Sequence, residues 1–202
     1  FQARTRGLEY SISHFENSFY IVSNIDNAQN FKLSKTSESN TEKANWVDVI
    51  PHREDVLLEG VDIFKDFLVV SERENGLNKI KISTWDNLTS YYLPFDSETY
   101  TAYTTSNIDF ETTKLRYGYQ SLVTPSSVIE FDMITKEKSI LKEQEVLDVD
   151  FSKEKYTSKR LWANASDGSK IPISLVHHVD TELNSNTPLL LYAYGSYGST
   201  ID

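Results

Sequence analysis

Three observations predict a mainly β chain, with part of a β-propeller followed by the first strands of an α/β domain. Strand-like runs begin 48 residues apart, at Phe19, Phe67 and Leu115. Turns rich in Asn, Asp, Ser and Gly separate these runs from further alternating segments, and no helical periodicity is sustained before Asp150. Beyond Asp150 the pattern changes to a hairpin and then to an apolar run.

Each repeat supplies about four short strands, which is typical of a propeller blade. After the runs already named come second strands from Asn30, Asn78 and Val128, third strands at Trp46–Ile50, Tyr91–Leu93 and Ser139–Leu141, and further strands at Val56–Leu58, Thr101–Tyr103 and Val146–Val149. A β-sandwich also contains short strands, but it does not require a long constant period, so the propeller is favoured. A closed propeller typically has about four to eight blades. We therefore expect an open arc that self-associates through its free blade edges.

A second domain is predicted from residue 153, so that residues 1–152 are the C-terminal blades and residues 153–202 are the beginning of an α/β domain. A strand from Arg160 leads into Ser166–Ser169, where Asp-Gly indicates a two-residue hairpin turn. Lys170–His178 alternates as the returning strand. The apolar run Pro188–Tyr194 predicts a strand covered on both faces.

Composition excludes several classes of function. The net charge of −10 argues against nucleic acid as a partner, which requires a positive surface. No apolar run approaches the roughly 18 residues of a membrane helix, so no membrane partner is expected. The absence of Cys removes thiolate metal sites and Cys nucleophiles. We expect a cytoplasmic location, with the periplasm as the alternative.

The stretch "LLLYAYGSYGSTID" (189–202) contains the candidate chemistry. It offers no nucleophile elbow, because G-x-S-x-G requires Gly two residues before the Ser, whereas Ser196 and Ser199 have Tyr there. Phosphate-binding loops of the type G-x-x-x-x-G-K-S/T or G-x-G-x-x-G do not occur either. Tyr194 stands at the end of the predicted strand, where its hydroxyl could stabilise an oxyanion or simply pack.

The stretches "RLWANASDGSKIPISLV" (160–176) and "PLLLYAYGSYGSTID" (188–202) resemble the start of the peptidase domain of the prolyl oligopeptidase family, in particular its oligopeptidase B branch. Glu59-Gly60 before "FLVVSER", and "LRYGYQS" followed by Thr124 and Pro125, resemble its last blades. The resemblance implies a serine peptidase in which a seven-bladed propeller caps an α/β-hydrolase domain and admits only short peptides. It also implies cleavage after Lys or Arg, including dibasic sites, without a metal or organic cofactor.

The resemblance also implies roles for three residues. Tyr194 corresponds to the Tyr that donates to the oxyanion, Tyr197 to an aromatic residue beside the substrate pocket, and Asp202 to an acid that recognises a basic side chain. Ala193 departs from the pattern, because the family usually has Gly between the two tyrosines. The catalytic Ser, Asp and His of the family would lie beyond this chain, which is therefore expected to be an inactive fragment on its own.

Two alternatives remain open at this point. The chain could be a non-catalytic propeller module that binds basic peptides or a protein partner through its acidic surface. It could also come from a family member that cleaves after Pro or removes N-terminal dipeptides.

Overall fold

The computed structural model describes residues 1–197 and 199–201. These residues form three four-stranded antiparallel sheets and one two-stranded hairpin. The strands of each four-stranded sheet lie side by side in chain order, as in the blade of a propeller. The predicted mainly β class, with three blades of a partial propeller, is therefore confirmed.

The strands follow one another with short connections. Blade 1 consists of β1 (Tyr10–Phe15), β2 (Ser18–Ser23), β3 (Lys32–Ser37) and β4 (Val47–Ile50). Blade 2 consists of β5 (Val56–Ile63), β6 (Phe67–Glu74), β7 (Leu77–Thr84) and β8 (Ser90–Tyr92). Blade 3 consists of β9 (Thr101–Thr104), β10 (Lys114–Gln120), β11 (Ser127–Asp132) and β12 (Lys138–Glu143), and the hairpin of β13 (Tyr156–Asn164) and β14 (Lys170–His178). The helices are short 3-10 turns at Ile25–Asn27, Lys43–Asn45 and Lys153–Lys155. No helix in the described part of the chain is long and apolar enough to cross a membrane.

Blade 2 is packed on both faces, because successive side chains of a strand point to opposite sides of the sheet. Phe67 and Val69 of β6 belong to a buried cluster shared with blade 3. Leu68 and Val70 belong to a second cluster, shared with blade 1. Complete burial of one such side chain contributes about 1.5–3 kcal/mol. The two clusters therefore hold the three blades in one arc.

The turn between β6 and β7 illustrates how local sequence determines a hairpin. Glu74 pairs with Leu77, which leaves Asn75 and Gly76 as a two-residue turn. Both residues have positive φ, at 52° and 73°. This is the conformation for which Asn-Gly is favoured, since its twist matches that of the flanking strands. The Asn75-Gly76 turn thus projects from one end of blade 2.

Two details of the blades differ from the prediction. The repeat pattern missed β1, all of whose side chains are exposed or half-buried. The strand predicted at Val146–Val149 is wrong, since β12 ends at Glu143 and no strand follows before Tyr156. Leu147 and Val149 are exposed, and none of the described strands pairs with this segment. A strand forms only where a neighbour accepts its hydrogen bonds, which composition does not reveal.

The hairpin after the blades agrees with the predicted strands but not with the predicted turn. Asn164 pairs with Lys170, so the loop between them is longer than two residues. It is closed by a hydrogen bond of 3.0 Å from the Gly168 amide to the Ala165 carbonyl, and Gly168 has a φ of 88°. The predicted domain boundary between residues 152 and 153 falls in the segment between β12 and β13.

Candidate functional site

Tyr194, the candidate oxyanion donor, lies in a segment without regular secondary structure. The strand predicted over Pro188–Tyr194 is wrong, because residues 188–196 form no strand in the structure. The reason is the lack of neighbours: Leu190 is 91% exposed, and none of the described strands pairs with the run. A strand of a parallel sheet is stabilised by strands on both sides and by layers on both faces. The apolar run alone supplies neither.

Two of the three predicted site residues, Tyr194 and Tyr197, lie in the exposed closing segment of the structure. Tyr194 is 50% exposed and Tyr197 is 97% exposed, with a φ of 55° at Tyr197. Asp202 lies outside the described residues. Within the described part of the chain, neither Tyr hydroxyl takes part in a hydrogen bond. The roles of Tyr194, Tyr197 and Asp202 therefore stay predictions.

The hairpin contacts one end of blade 2 through Arg160. The Arg160 guanidinium donates from Nη2 to the Asn75 carbonyl over 2.7 Å. The Arg160 amide donates to Oε2 of Glu98 over 3.1 Å. The hairpin thus meets both the β6–β7 turn and the loop that joins blade 2 to blade 3.

The same contact depends on the small size of Gly76. A Cβ placed on Gly76 would lie 2.7 Å from Nη2 of Arg160 and 3.1 Å from Cγ of Pro172. Pro172 is opposite Trp162 in the hairpin register, and the Arg160 guanidinium lies 5.5 Å from the centre of the Trp162 ring.

One end of the arc faces the hairpin. This hairpin-facing end contains Arg53, the Asn75-Gly76 turn and Glu98.

A buried carboxylate lies near this end of blade 2. Glu72 of β6 is 1% exposed, and its Oε1 is paired with Arg53, which follows blade 1. Its other oxygen, Oε2, accepts a hydrogen bond of 2.8 Å from the Tyr92 hydroxyl. Burial disfavours the charge of Arg53, but the hydrogen bond and attraction to Glu72 outweigh it and raise the pKa of Arg53. Both oxygens of the buried Glu72 thus have partners, as a buried charge requires.

The other titratable groups of the described part do not form a catalytic centre. Burial raises the pKa of the Asp62 carboxyl, partly offset by a hydrogen bond from Thr104. His14 is 3.2 Å from Glu38, and Nδ1 of His177 is 2.9 Å from the His178 carbonyl. No serine hydroxyl is hydrogen-bonded to a histidine in residues 1–197 and 199–201, and no group of three metal-ligating side chains converges there. The described residues therefore contain no activated nucleophile of the Ser–His type.

Sequence reasoning missed Arg160, Glu98 and the Arg53–Glu72 pair. Arg160 contacts residues 62 and 85 positions earlier in the chain. No local motif marks such a contact. Of the residues that take part in it, only the Asn75-Gly76 turn can be recognised from the sequence. Glu72 has Ser71 and Arg73 as its neighbours in the sequence, so nothing in the sequence around it indicates its burial.

The fold defines a class: consecutive four-stranded propeller blades followed by a β-hairpin. A family model described as "Prolyl oligopeptidase, N-terminal beta-propeller domain" matches residues 1–144. The chain belongs to the prolyl oligopeptidase family.

Similar proteins agree with this assignment along nearly the whole chain. The chain is 38% identical to "Dipeptidyl aminopeptidase BI" of Pseudoxanthomonas mexicana, covering 98% of this chain and 27% of that protein. It is 30% identical to "Protease 2" of Moraxella lacunata, covering 98% and 28% respectively. The structure "Oligopeptidase B from Trypanosoma brucei with covalently bound antipain - closed form" aligns with a TM-score of 0.87 and 31% identity, covering 100% of this chain and 29% of that one. The chain therefore spans just over a quarter of the length of these peptidases.

Proposed function

We propose that the protein containing this chain is a serine oligopeptidase that hydrolyses short peptides after Lys or Arg, including dibasic sites. The observation that carries the proposal is the likeness to Protease 2 and to oligopeptidase B across both the blades and the hairpin. Residues 1–202 would supply part of the propeller and the opening of the peptidase domain. The reactive Ser, with its Asp and His, would lie outside residues 1–202, which contain no G-x-S-x-G.

In this proposal the segment after the hairpin binds the substrate. Tyr194 would donate its hydroxyl to the oxyanion that forms when the peptide carbonyl is attacked. Tyr197 would lie beside the substrate pocket. The Asp202 carboxylate would pair with a basic side chain of the substrate, which is strongest for a guanidinium because its two parallel donors match a carboxylate. The mechanism uses no metal or organic cofactor.

A second candidate is the removal of N-terminal dipeptides. It is favoured by the 38% identity to the relative named dipeptidyl aminopeptidase, which is higher than the 30% identity to Protease 2. The two activities differ in where the substrate's N-terminus must lie, since a dipeptidyl peptidase needs a free amine two residues before the cleaved bond. An N-terminally blocked peptide therefore distinguishes them.

A substrate profile of the full-length protein tests the proposal. Blocked peptides with Arg or Lys before the cleaved bond should exceed matched Pro peptides in kcat/KM by about 30-fold or more, because leaving a buried charge unpaired costs about 2–5 kcal/mol. Matched peptides with a free N-terminus serve as the control. Cleavage of the free peptides alone, two residues from the N-terminus, would contradict the proposal in favour of the second candidate. Preferential cleavage of the blocked Pro peptides would contradict both candidates.

A further inference from the structure

The contact between the hairpin and blade 2 has the features of a built-in anchor. Its polar part is charge-assisted, since Arg160 donates to a carbonyl and the Glu98 carboxylate accepts the Arg160 amide. Its steric part is the close approach of Arg160 and Pro172 to Gly76. A Cβ at position 76 would push aside the flexible end of the Arg160 side chain and press against Cγ of Pro172.

Two other glycines of the chain can be compared directly with Gly76. Gly7, Gly76 and Gly168 all have positive φ, at 83°, 73° and 88°. A Cβ on Gly7 or Gly168 would meet no heavy atom within 4 Å, whereas one on Gly76 would meet Arg160 and Pro172. Backbone conformation alone explains glycine at the first two positions. At position 76 the glycine also makes room for the second domain.

We propose that Arg160 is a positioning residue that fixes the β13–β14 hairpin to the Asn75-Gly76 turn, and that this contact persists during turnover as the pivot between the propeller and the second domain. The guanidinium donates to the Asn75 carbonyl of the turn, and the Arg160 amide donates to Glu98 of the loop between blades 2 and 3. The hairpin is thereby held by two separate segments of the propeller. The two domains then move relative to each other around this contact, while the hairpin and the turn stay together.

A disulfide across the contact tests whether it persists. The ideal Cβ of Gly76 lies 3.8 Å from Cβ of Pro172, a separation typical of disulfides. Because residues 1–202 contain no Cys, the bond introduced by Gly76→Cys with Pro172→Cys can be identified by peptide mapping of the full-length protein. Oxidised glutathione serves as the oxidant. The single variants, and Gly168→Cys for the strain of positive φ, are the controls.

We expect the disulfide to form and peptide hydrolysis to stay within about twofold of the reduced double variant, because the anchor does not open during turnover. Failure of the bond to form would overturn the proposed contact. Loss of hydrolysis on oxidation, restored by reduction, would overturn its role as a persistent pivot. The hydrolysis readout rests on the proposed function, whereas bond formation does not, so the two failures are distinguishable.

Hydrogen exchange provides a readout that is independent of activity. In the full-length protein, Arg160→Met should increase amide exchange in β13, β14 and the Asn75-Gly76 turn about tenfold, while β2 and β3 of blade 1 keep their rates. Arg160→Lys, which retains a cationic donor, should restore part of the protection. Unchanged exchange in the hairpin, or an equal increase throughout blade 1, would contradict an anchoring role.

Discussion

Replacing Arg53 by Met should lower the free energy of unfolding by about 3–5 kcal/mol, because it leaves the buried Glu72 carboxylate without its cationic partner. Arg53 follows blade 1, whereas Glu72 lies inside blade 2. The pair therefore joins the segment between blades 1 and 2 to the interior of blade 2. Urea denaturation followed by tryptophan fluorescence measures the change.

Two further variants separate the contribution of the charge to the free energy of unfolding from the contribution of packing. The double replacement Arg53→Met with Glu72→Leu removes both charges, and it should recover most of the loss because no unpaired charge remains buried. Lys65→Ala breaks the exposed pair with Glu111 and should cost about 1 kcal/mol or less. If the double variant were as unstable as Arg53→Met, the loss would come from packing and the account of this pair would be wrong.

Replacing Tyr194 by Phe in the full-length protein should reduce kcat by about 10²–10³, as expected for the loss of one oxyanion donor. The change in KM should be small, because the oxyanion exists only after the substrate carbonyl has been attacked. Steady-state kinetics on a blocked Arg peptide measures both constants.

Tyr192 supplies a matched control for this experiment. It is an exposed Tyr two residues before Tyr194, in the same segment without regular structure. Tyr192→Phe should leave kcat unchanged. An unchanged kcat in Tyr194→Phe would remove this hydroxyl from the mechanism, and equal losses in both variants would show that the segment tolerates no change of this kind.

The propeller was predictable because its signals are local. Alternation and turns such as Asn75-Gly76 are properties of short stretches, and their recurrence every 48 residues indicates the blades. The errors at Val146–Val149 and Pro188–Tyr194 have a common cause. In both stretches the residue types favour a strand, but no neighbouring strand accepts its hydrogen bonds in the described part of the chain.

Candidate site residues could be predicted only in the closing stretch, which contains a recognisable motif. The roles of Tyr194, Tyr197 and Asp202 follow from the resemblance of the closing stretch to the prolyl oligopeptidase family, and they stay predictions. The contacts of Arg160 and the pair between Arg53 and Glu72 join distant parts of the chain. Such pairs depend on how blades and hairpin pack, which no single stretch encodes.

We propose that these blades belong to a serine peptidase, whose nucleophile would lie outside residues 1–202. Labelling of the full-length protein with a fluorophosphonate, followed by peptide mapping, tests it most directly. The account predicts modification of a single serine in a G-x-S-x-G sequence beyond residue 202, with peptide hydrolysis lost in proportion to labelling. Hydrolysis that persists in the fully labelled protein, or a modified serine within residues 1–202, would contradict it.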